Sequence, residues 1–306
     1  MSDGANDVLG IDLSEGSGAP RMLRSQSNFL KSVRRFYADP KAVIATVILG
    51  TFVLVAIFAP ILALHPVNEQ NAYRSLLGPS WEFPLGTDRL GRDLLTRMMY
   101  GTRISVSVGL IAVGIAAGIG VPLGLISGYF GRWFDELAMR FVDAWIAFPS
   151  LILVIALVTI IGPGVVNVMI AIGLGSFPVY ARLIRAQTLT VKERDFVLAA
   201  RALGATDSRI MFVHILPNTI QPVIVQASLL VGSAILTEAG LSFLGIGISP
   251  PQPTWGVTIQ EGFNWIRKSP WPAVMPGVAI ILFTLSTNFI GDRLRDVLDP
   301  RLRGAR

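Results

Sequence analysis

Long apolar stretches limit what this chain can fold into. A bilayer core about 30 Å thick needs roughly 20 apolar residues per helix. Only 15% of the 306 residues are charged, against roughly 25% in a soluble domain. The sequence therefore predicts an all-α integral membrane protein with six transmembrane helices. We expect these spans at about 42–64, 104–130, 139–161, 165–180, 217–236 and 273–290.

The spans divide the chain into consecutive parts. Residues 1–26 lack an apolar period and predict a disordered tail, and the first apolar run is long enough to span rather than to act as a signal peptide. Glycines 114 and 118, and glycines 120 and 124, form small-xxx-small pairs that let helices approach closely. The expected parts are an N-terminal tail at 1–41, a first helix at 42–64, an extracytoplasmic segment at 65–103, a five-helix core at 104–290 and a C-terminal tail at 291–306.

The distribution of Lys and Arg predicts the orientation. With the N-terminus inside, 19 of these residues fall in inner segments and seven in outer ones, so both termini are expected to be cytoplasmic. The five arginines of residues 65–103 argue weakly in the opposite direction. The segment 181–216 then faces the cytoplasm. Apolar blocks separate the basic residues, which argues against nucleic-acid binding.

Several classes of chemistry lack their sequence requirements. The chain has no cysteine, which excludes a disulfide scaffold, a Cys-ligated zinc site and a Cys nucleophile. None of its four lysines follows a glycine, so no Walker A loop is present. His65 and His214 are far apart and have no carboxylate at ligand spacing, which argues against a metal site. We expect a non-catalytic chain that does not itself hydrolyse ATP.

The segment 181–216 is a basic, helix-prone stretch between two apolar blocks. Ala200 and Gly204 are four residues apart, which places them on one helical face and predicts a shallow notch for another surface. Gly204 permits the turn that ends the helix, and Asp207 or Ser208 is expected to cap the next one. The alternative is a plain solvated basic loop.

This segment resembles the coupling loop of bacterial ABC-importer permeases through Ala199, Ala200, Gly204, Leu216 and Pro217. Leu198 stands where the family has Glu, and His214 where it has Ile. Other blocks resemble the peptide and nickel permease family. They are Leu85–Asp93, Leu241–Gly247, Pro250–Gly256, Gly291–Asp296 and Leu298–Leu302.

The resemblance implies the type I importer permease fold and, within it, the second (C-type) permease subunit of dipeptide/oligopeptide importers. Alternative cargoes are nickel chelates, glutathione and opine-like compounds. An alternative class is a non-transport membrane enzyme or scaffold that uses the basic loop as an anchor. The implied partners are a related permease, two ATP-binding subunits or domains that bind ATP and Mg, and an extracytoplasmic peptide-binding protein. The implied location is the bacterial inner membrane and its lipid. The implied ATPase-coupling residues are Ala199, Ala200, Arg201, Gly204, Leu216 and Pro217.

Polar residues within the spans are candidates for a translocation path, with hydrogen bonding between helices as the alternative. The candidates are Gln221, Gln226, Ser233, Glu238, Thr284 and Asn288. Glu238 could attract a peptide ammonium or be solvated at the interface. Asp143 is expected to pair with Arg140, three residues earlier, with a gating role as the alternative.

Overall fold

The structure, a computed structural model, describes residues 34–298 and is built from helices joined by loops. No β-strand occurs in that range, which confirms the all-α prediction. Predictions for residues 1–33 and 299–306, which include most of the N-terminal tail and the end of the C-terminal motif, lie outside the described residues. The helices are α1 (Pro40–Leu62), α2 (Leu94–Phe130), α3 (Arg132–Ile146), α4 (Ser150–Ile161), α5 (Val165–Val191), α6 (Asp195–Ala202), α7 (Asp207–Arg209), α8 (Leu216–Phe243), α9 (Trp255–Phe263) and α10 (Trp271–Leu298).

Five helical stretches are long and apolar enough to cross a membrane. They are α1, α2, α5, α10 and the stretch Asp207–Phe243, in which a π-helical segment, Ile210–Ile215, joins α7 to α8. The pair α3 and α4 supplies a sixth crossing if its two helices count as one span. The prediction of six spans therefore holds only with this broken span included.

The third span is not the continuous helix predicted for residues 139–161. Helix α3 ends at Ile146, α4 begins at Ser150, and the two are bent by 91°. Pro149 lies in the break. Proline has no N–H for a helical hydrogen bond and disfavours the helical conformation of the residue before it, Phe148. A criterion based only on apolar length does not register this single residue.

Four of the other spans extend beyond a predicted end, whereas α1 ends at Leu62, two residues before its predicted end. Helix α2 begins at Leu94, inside the stretch 65–103 that was expected to lie outside the membrane. Asp93 caps this helix by accepting hydrogen bonds from the N–H groups of Leu95 (3.2 Å) and Thr96 (3.1 Å), which satisfies donors that a helix end leaves free. Helices α5, α8 and α10 likewise continue past the predicted ends at 180, 236 and 290.

Glycines set the closest approach between α2 and α5, within a core that also includes residues of α8, α9 and α10. A Cβ atom on Gly120 would overlap the carbonyl oxygen of Phe177, and one on Gly124 would overlap that of Ala181. This confirms the packing role of the Gly120–Gly124 pair. The pair at 114 and 118 has no neighbouring atom within 4 Å of an added Cβ, so it does not mediate packing within the described part of the chain.

The polar connections lie at opposite ends of the helices. Asp88 and Arg92, between α1 and α2, are at the same end as α9, because Arg92 bonds to Glu261. Asp207, between α5 and α8, lies at the other end, where it bonds to Tyr129 in the last turn of α2. The α6–α7 segment and the α9 region are thus separated by the length of α2.

Candidate coupling surface and translocation path

Helix α6 presents one face to the chain and one to the outside. Val197 and Ala200 turn inward, and Ala200 is only 9% exposed. Ala199 is exposed, and Leu203, four residues further on, is 88% exposed. The expected notch with Ala200 and Gly204 on one open face is therefore wrong: periodicity gives angular positions but not which side meets the core. Ala199 and Ala202, not Ala200, are the small residues on the open face.

Gly204 ends α6 as predicted. It has a φ of +81°, which costs glycine nothing because it has no Cβ. Its N–H donates to the carbonyl of Arg201 (3.0 Å), and the N–H of Ala205 donates to that of Ala200 (3.1 Å). These two bonds form a Schellman motif. A Cβ added to Gly204 would meet no atom within 4 Å, so the space beside this turn is open in the described chain.

Beyond the turn, the segment re-enters a helix that leads to α8. Thr206 is the capping residue, rather than Asp207 or Ser208, because its hydroxyl accepts the N–H of Arg209 (3.4 Å). Leu216 is half-buried and Pro217 is exposed in the first turn of α8, directly after the π-helical segment.

We call the exposed apolar side chains of this segment the coupling face. They include Leu198, which adds apolar surface at the position where the resembled family has Glu. The coupling face consists of Phe196, Leu198, Leu203, Phe212 and Val213.

Tyr129 connects this segment to the core. Its hydroxyl donates to the carboxylate of Asp207 (2.6 Å), and the guanidinium of Arg201 lies 5.8 Å from its ring centroid, within the range of a cation–π contact. No sequence pattern indicates this contact, because 78 residues separate Tyr129 from Asp207.

Charged residues of α3 pair with α5. Arg185 forms two bonds of 2.6 Å to Asp135. Asp143 pairs with Arg182 (2.5 Å) and not with Arg140, so the predicted Arg140–Asp143 pair is wrong. Arg140 instead pairs with Glu136, one turn earlier on α3 (2.6 Å), the direction in which long helical side chains point.

The path candidates differ in their surroundings. Gln226 and Ser233 are seven residues apart on α8 and share a face. Ser233 and Gln221 are exposed, and Gln226 and Asn288 are half-buried. Thr284 packs against α8, because a Cβ added to Gly232 would lie 3.0 Å from its Cγ2. Thr284 thus sits at a helix–helix contact.

Glu238 is completely buried and does not line an open path in this structure. Its carboxylate accepts hydrogen bonds from the hydroxyls of Ser242 (2.9 Å) and Ser105 (3.3 Å). Ser105 also accepts the backbone N–H of Trp255 (3.3 Å). Glu238 therefore ties α8 to α2 and to the start of α9.

Four buried charges hold the α9 end together. Arg92 bonds to Asp88 (2.5 Å) and to Oε2 of Glu261 (2.7 Å), and Arg97 bonds to the same Oε2 (3.0 Å). Burial by itself lowers the pKa of Arg92, but the hydrogen bonds and charges of Glu261 and Asp88 outweigh it and raise that pKa above its ordinary value. The sequence motif contained Asp88 and Arg92 but gave no hint of Glu261, 169 residues away from Arg92. Within residues 34–298, no group of three or more His, Asp or Glu side chains could hold a metal ion.

Comparison with known proteins decides the family. The family described as "Binding-protein-dependent transport system inner membrane component" matches residues 120–304. This chain belongs to that family. A second match, to the "N-terminal TM domain of oligopeptide transport permease C", covers residues 27–79 of this permease.

Curated relatives cover nearly the whole permease. It is 45% identical over 277 residues to the dipeptide transport system permease protein DppC of Alkalihalophilus pseudofirmus, covering 90% of this chain and 91% of that protein. It is 45% identical to the di/tripeptide transport system permease protein DppC of Pseudomonas aeruginosa, covering 83% and 86%. It is 42% identical to the glutathione transport system permease protein GsiD of Pectobacterium atrosepticum, covering 88% and 90%.

A solved structure supports the fold. A chain of the MetNI methionine ABC transporter in inward-facing conformations superposes with a TM-score of 0.53, covering 67% of this permease and 97% of that chain. The sequence identity is 19%, so this likeness concerns the fold alone. It confirms the type I ABC importer permease architecture expected from the sequence.

Proposed function

We propose that this permease carries dipeptides or oligopeptides across the bacterial cytoplasmic membrane as one of two permease subunits of an ATP-driven importer. The observation that carries the proposal is the 45% identity to a dipeptide transport permease over 90% of the chain. The chain itself is non-catalytic and binds no cofactor in this proposal. Alternating access would reorient its helices between the two sides of the membrane, and both termini would face the cytoplasm.

The proposed assembly follows from the single coupling face. A pair of ATP-binding subunits or domains, which bind ATP and Mg, offers two docking positions, and this chain fills one of them. A second, related permease would fill the other. An extracytoplasmic peptide-binding protein would deliver the cargo, and lipid would surround the exposed apolar side chains of the spans.

Glutathione is a second candidate cargo, favoured by the 42% identity to a glutathione permease. The test is uptake by the reconstituted importer, with its own binding protein, of a labelled dipeptide in competition with unlabelled glutathione. We expect excess unlabelled dipeptide to abolish uptake and excess glutathione to leave it unchanged. No uptake of the labelled dipeptide, together with uptake of labelled glutathione in a parallel assay, would assign the second cargo instead.

The proposed docking site for an ATP-binding subunit is the coupling face together with Ala199, Ala200, Arg201, Gly204, Leu216 and Pro217. The exposed apolar side chains of α6 and its following turn, Phe196, Leu198 and Leu203, support this proposal, because an apolar patch outside the spans marks an interaction surface. Tyr129 and Arg201 would pass the movement of this surface to α2. Ala200 would act from inside, by seating α6 on the chain.

Ala199→Trp tests the docking site. Ala199 is exposed at the centre of the open face of α6, so a bulky side chain there should block close approach of the ATPase and abolish uptake while membrane insertion persists. Gly204→Trp is expected to do the same, but it adds backbone strain at a φ of +81°. Ala199→Ser keeps the residue small and serves as the control. Normal uptake and normal ATPase co-purification in Ala199→Trp would refute the docking role.

The proposed path runs along the shared face of Gln226 and Ser233, with Gln221 and Asn288 beside it. Their exposure or partial exposure in this single chain supports this placement. Thr284 and Glu238 would contribute indirectly, Thr284 through the contact of α10 with α8 and Glu238 through its buried bonds to Ser242 and Ser105.

A further inference from the structure

A polar cavity opens beside α9, at the end of the molecule opposite the coupling face. Its volume is about 250 Å³, slightly below the range of pockets that hold drug-sized ligands. It therefore has room for a short peptide segment rather than for a long one. Its walls are formed by Arg89, Pro250, Gln260, Glu261, Asn264 and Trp265.

The charge balance at this cavity favours an anion. Asp88, Glu261, Arg92 and Arg97 form the buried quartet described above, and their formal charges cancel. Arg89 adds one further positive charge. Its side chain is exposed and forms no ion pair with any described residue, while its carbonyl accepts a bond from the Ser75 hydroxyl (2.8 Å). Its backbone is thus held in place and its guanidinium is free to bind a ligand.

Glu261 has one oxygen left for a ligand. Both Arg92 and Arg97 donate to Oε2. Oε1 accepts no hydrogen bond from residues 34–298 and is not fully buried. Because Glu261 lines the cavity, we assign Oε1 to the cavity wall. Gln260 and Asn264 add amide groups that can both donate and accept. A ligand that carries a carboxylate next to an amide N–H would complement these protein groups.

We propose that this cavity is an entry subsite for the C-terminal end of a peptide. The guanidinium of Arg89 binds the terminal carboxylate in the paired geometry that arginine favours. Oε1 of Glu261 and the amides of Gln260 and Asn264 bind the adjacent peptide group, and Trp265 provides an apolar wall. This inference rests on the proposed peptide transport, and it names the part of the peptide that the permease recognises first.

The test compares a dipeptide that has a free C-terminal carboxylate with the same dipeptide as its C-terminal amide. Transport of both is measured in liposomes that contain the complete importer and its binding protein, with Arg89→Gln and with the wild type. For each peptide, the transport rate of the variant is divided by that of the wild type, which removes any preference of the binding protein between the two peptides. We expect Arg89→Gln to lower transport of the free-carboxylate peptide about fivefold, the effect of losing one exposed charge pair. Transport of the amide should fall less than about twofold.

Arg267→Gln is the matched control. Like Arg89, Arg267 is exposed, and it lies in the connection between α9 and α10, but it does not line the cavity. This variant should leave the ratio of the transport rates of the two peptides unchanged. An equal loss for both peptides in Arg89→Gln would overturn the subsite and indicate contact with the binding protein. No loss for either would also overturn it. If the wild type transported neither peptide, the proposed function itself would fail, which is a separate result.

Discussion

At the scale of single residues, the buried quartet at the α9 end depends on all four charges. Removing one partner from a buried ion network leaves an uncompensated charge, which typically costs about 3–5 kcal/mol. In Arg97→Met, the carboxylates of Asp88 and Glu261 would retain only Arg92. We therefore expect the free energy of unfolding to fall by about 3–5 kcal/mol, measured by denaturant titration in mixed micelles.

The control is Arg140→Met, which makes the same substitution at an exposed pair. The side chains of Arg140 and Glu136 are 76% and 65% exposed, and exposed pairs contribute roughly 0.2–1 kcal/mol. We expect this variant to lie within about 1 kcal/mol of the wild type. Similar losses for the two variants would contradict the difference in burial on which the prediction depends.

The glycines of α2 give a second comparison at this scale. Gly124→Ala places a methyl group against the carbonyl of Ala181 and should destabilise the isolated chain by about 1–3 kcal/mol, the usual cost of overpacking. Gly118→Ala meets no atom within 4 Å and should gain about 0.5–1 kcal/mol from helix propensity. Thermal unfolding in detergent measures both, and a lower midpoint for Gly118→Ala than for Gly124→Ala would contradict the assignment.

Residue chemistry was predictable from the sequence where it is local. The turn at Gly204 followed from glycine's tolerance of positive φ, which needs no knowledge of the rest of the fold. The partner of Asp143 did not follow, because Arg182 comes from another helix and local spacing favoured Arg140. Glu261 and Tyr129 were missed for the same reason: their partners become neighbours only once the helices are packed.

At the scale of elements, Tyr129 is the hydroxyl that links α2 to the coupling segment. Tyr129→Phe keeps the ring and removes the hydroxyl, with its bond to Asp207; such a bond is worth about 1 kcal/mol. We expect the uptake per ATP hydrolysed by the reconstituted importer to fall about fivefold, with the ATPase still bound. Tyr100→Phe, near the other end of the same helix, is the control. An unchanged ratio would refute the transmission role, and loss of the ATPase would indicate a docking role instead.

The number of apolar blocks was predictable at this scale, but their ends were not. A hydropathy criterion ends a span at its first charged residues. In the structure, the helices continue past these residues because their polar groups form ion pairs and capping hydrogen bonds. Arg182 and Arg185 extend α5 because Asp143 and Asp135 pair with them. Asp93 starts α2 early because it caps the first turn. In the third span the error was reversed, since Pro149 breaks a block that hydropathy treats as continuous.

At the scale of the whole molecule, the structure separates two polar ends, one with the coupling face and one with α9. The coupling face and the α9 cavity lie at opposite ends of α2. The orientation of α2 in the membrane therefore determines on which side each of them lies. The excess of Lys and Arg in the segments expected inside predicts that the coupling face is cytoplasmic. The docking of an ATPase and the entry of peptide both depend on this orientation, which stays a prediction.

Single cysteines can test the orientation, because the natural chain has none and each introduced thiol is unique. Ser249→Cys lies in the connection between α8 and α9, Ser208→Cys lies in α7, and both serines are exposed. In intact cells that express the chain without partners, a membrane-impermeant maleimide should label Ser249→Cys and should reach Ser208→Cys only after permeabilisation. The reverse labelling pattern would show that the chain has the opposite orientation. The coupling face would then lie on the side without ATP, which would refute the proposed mechanism.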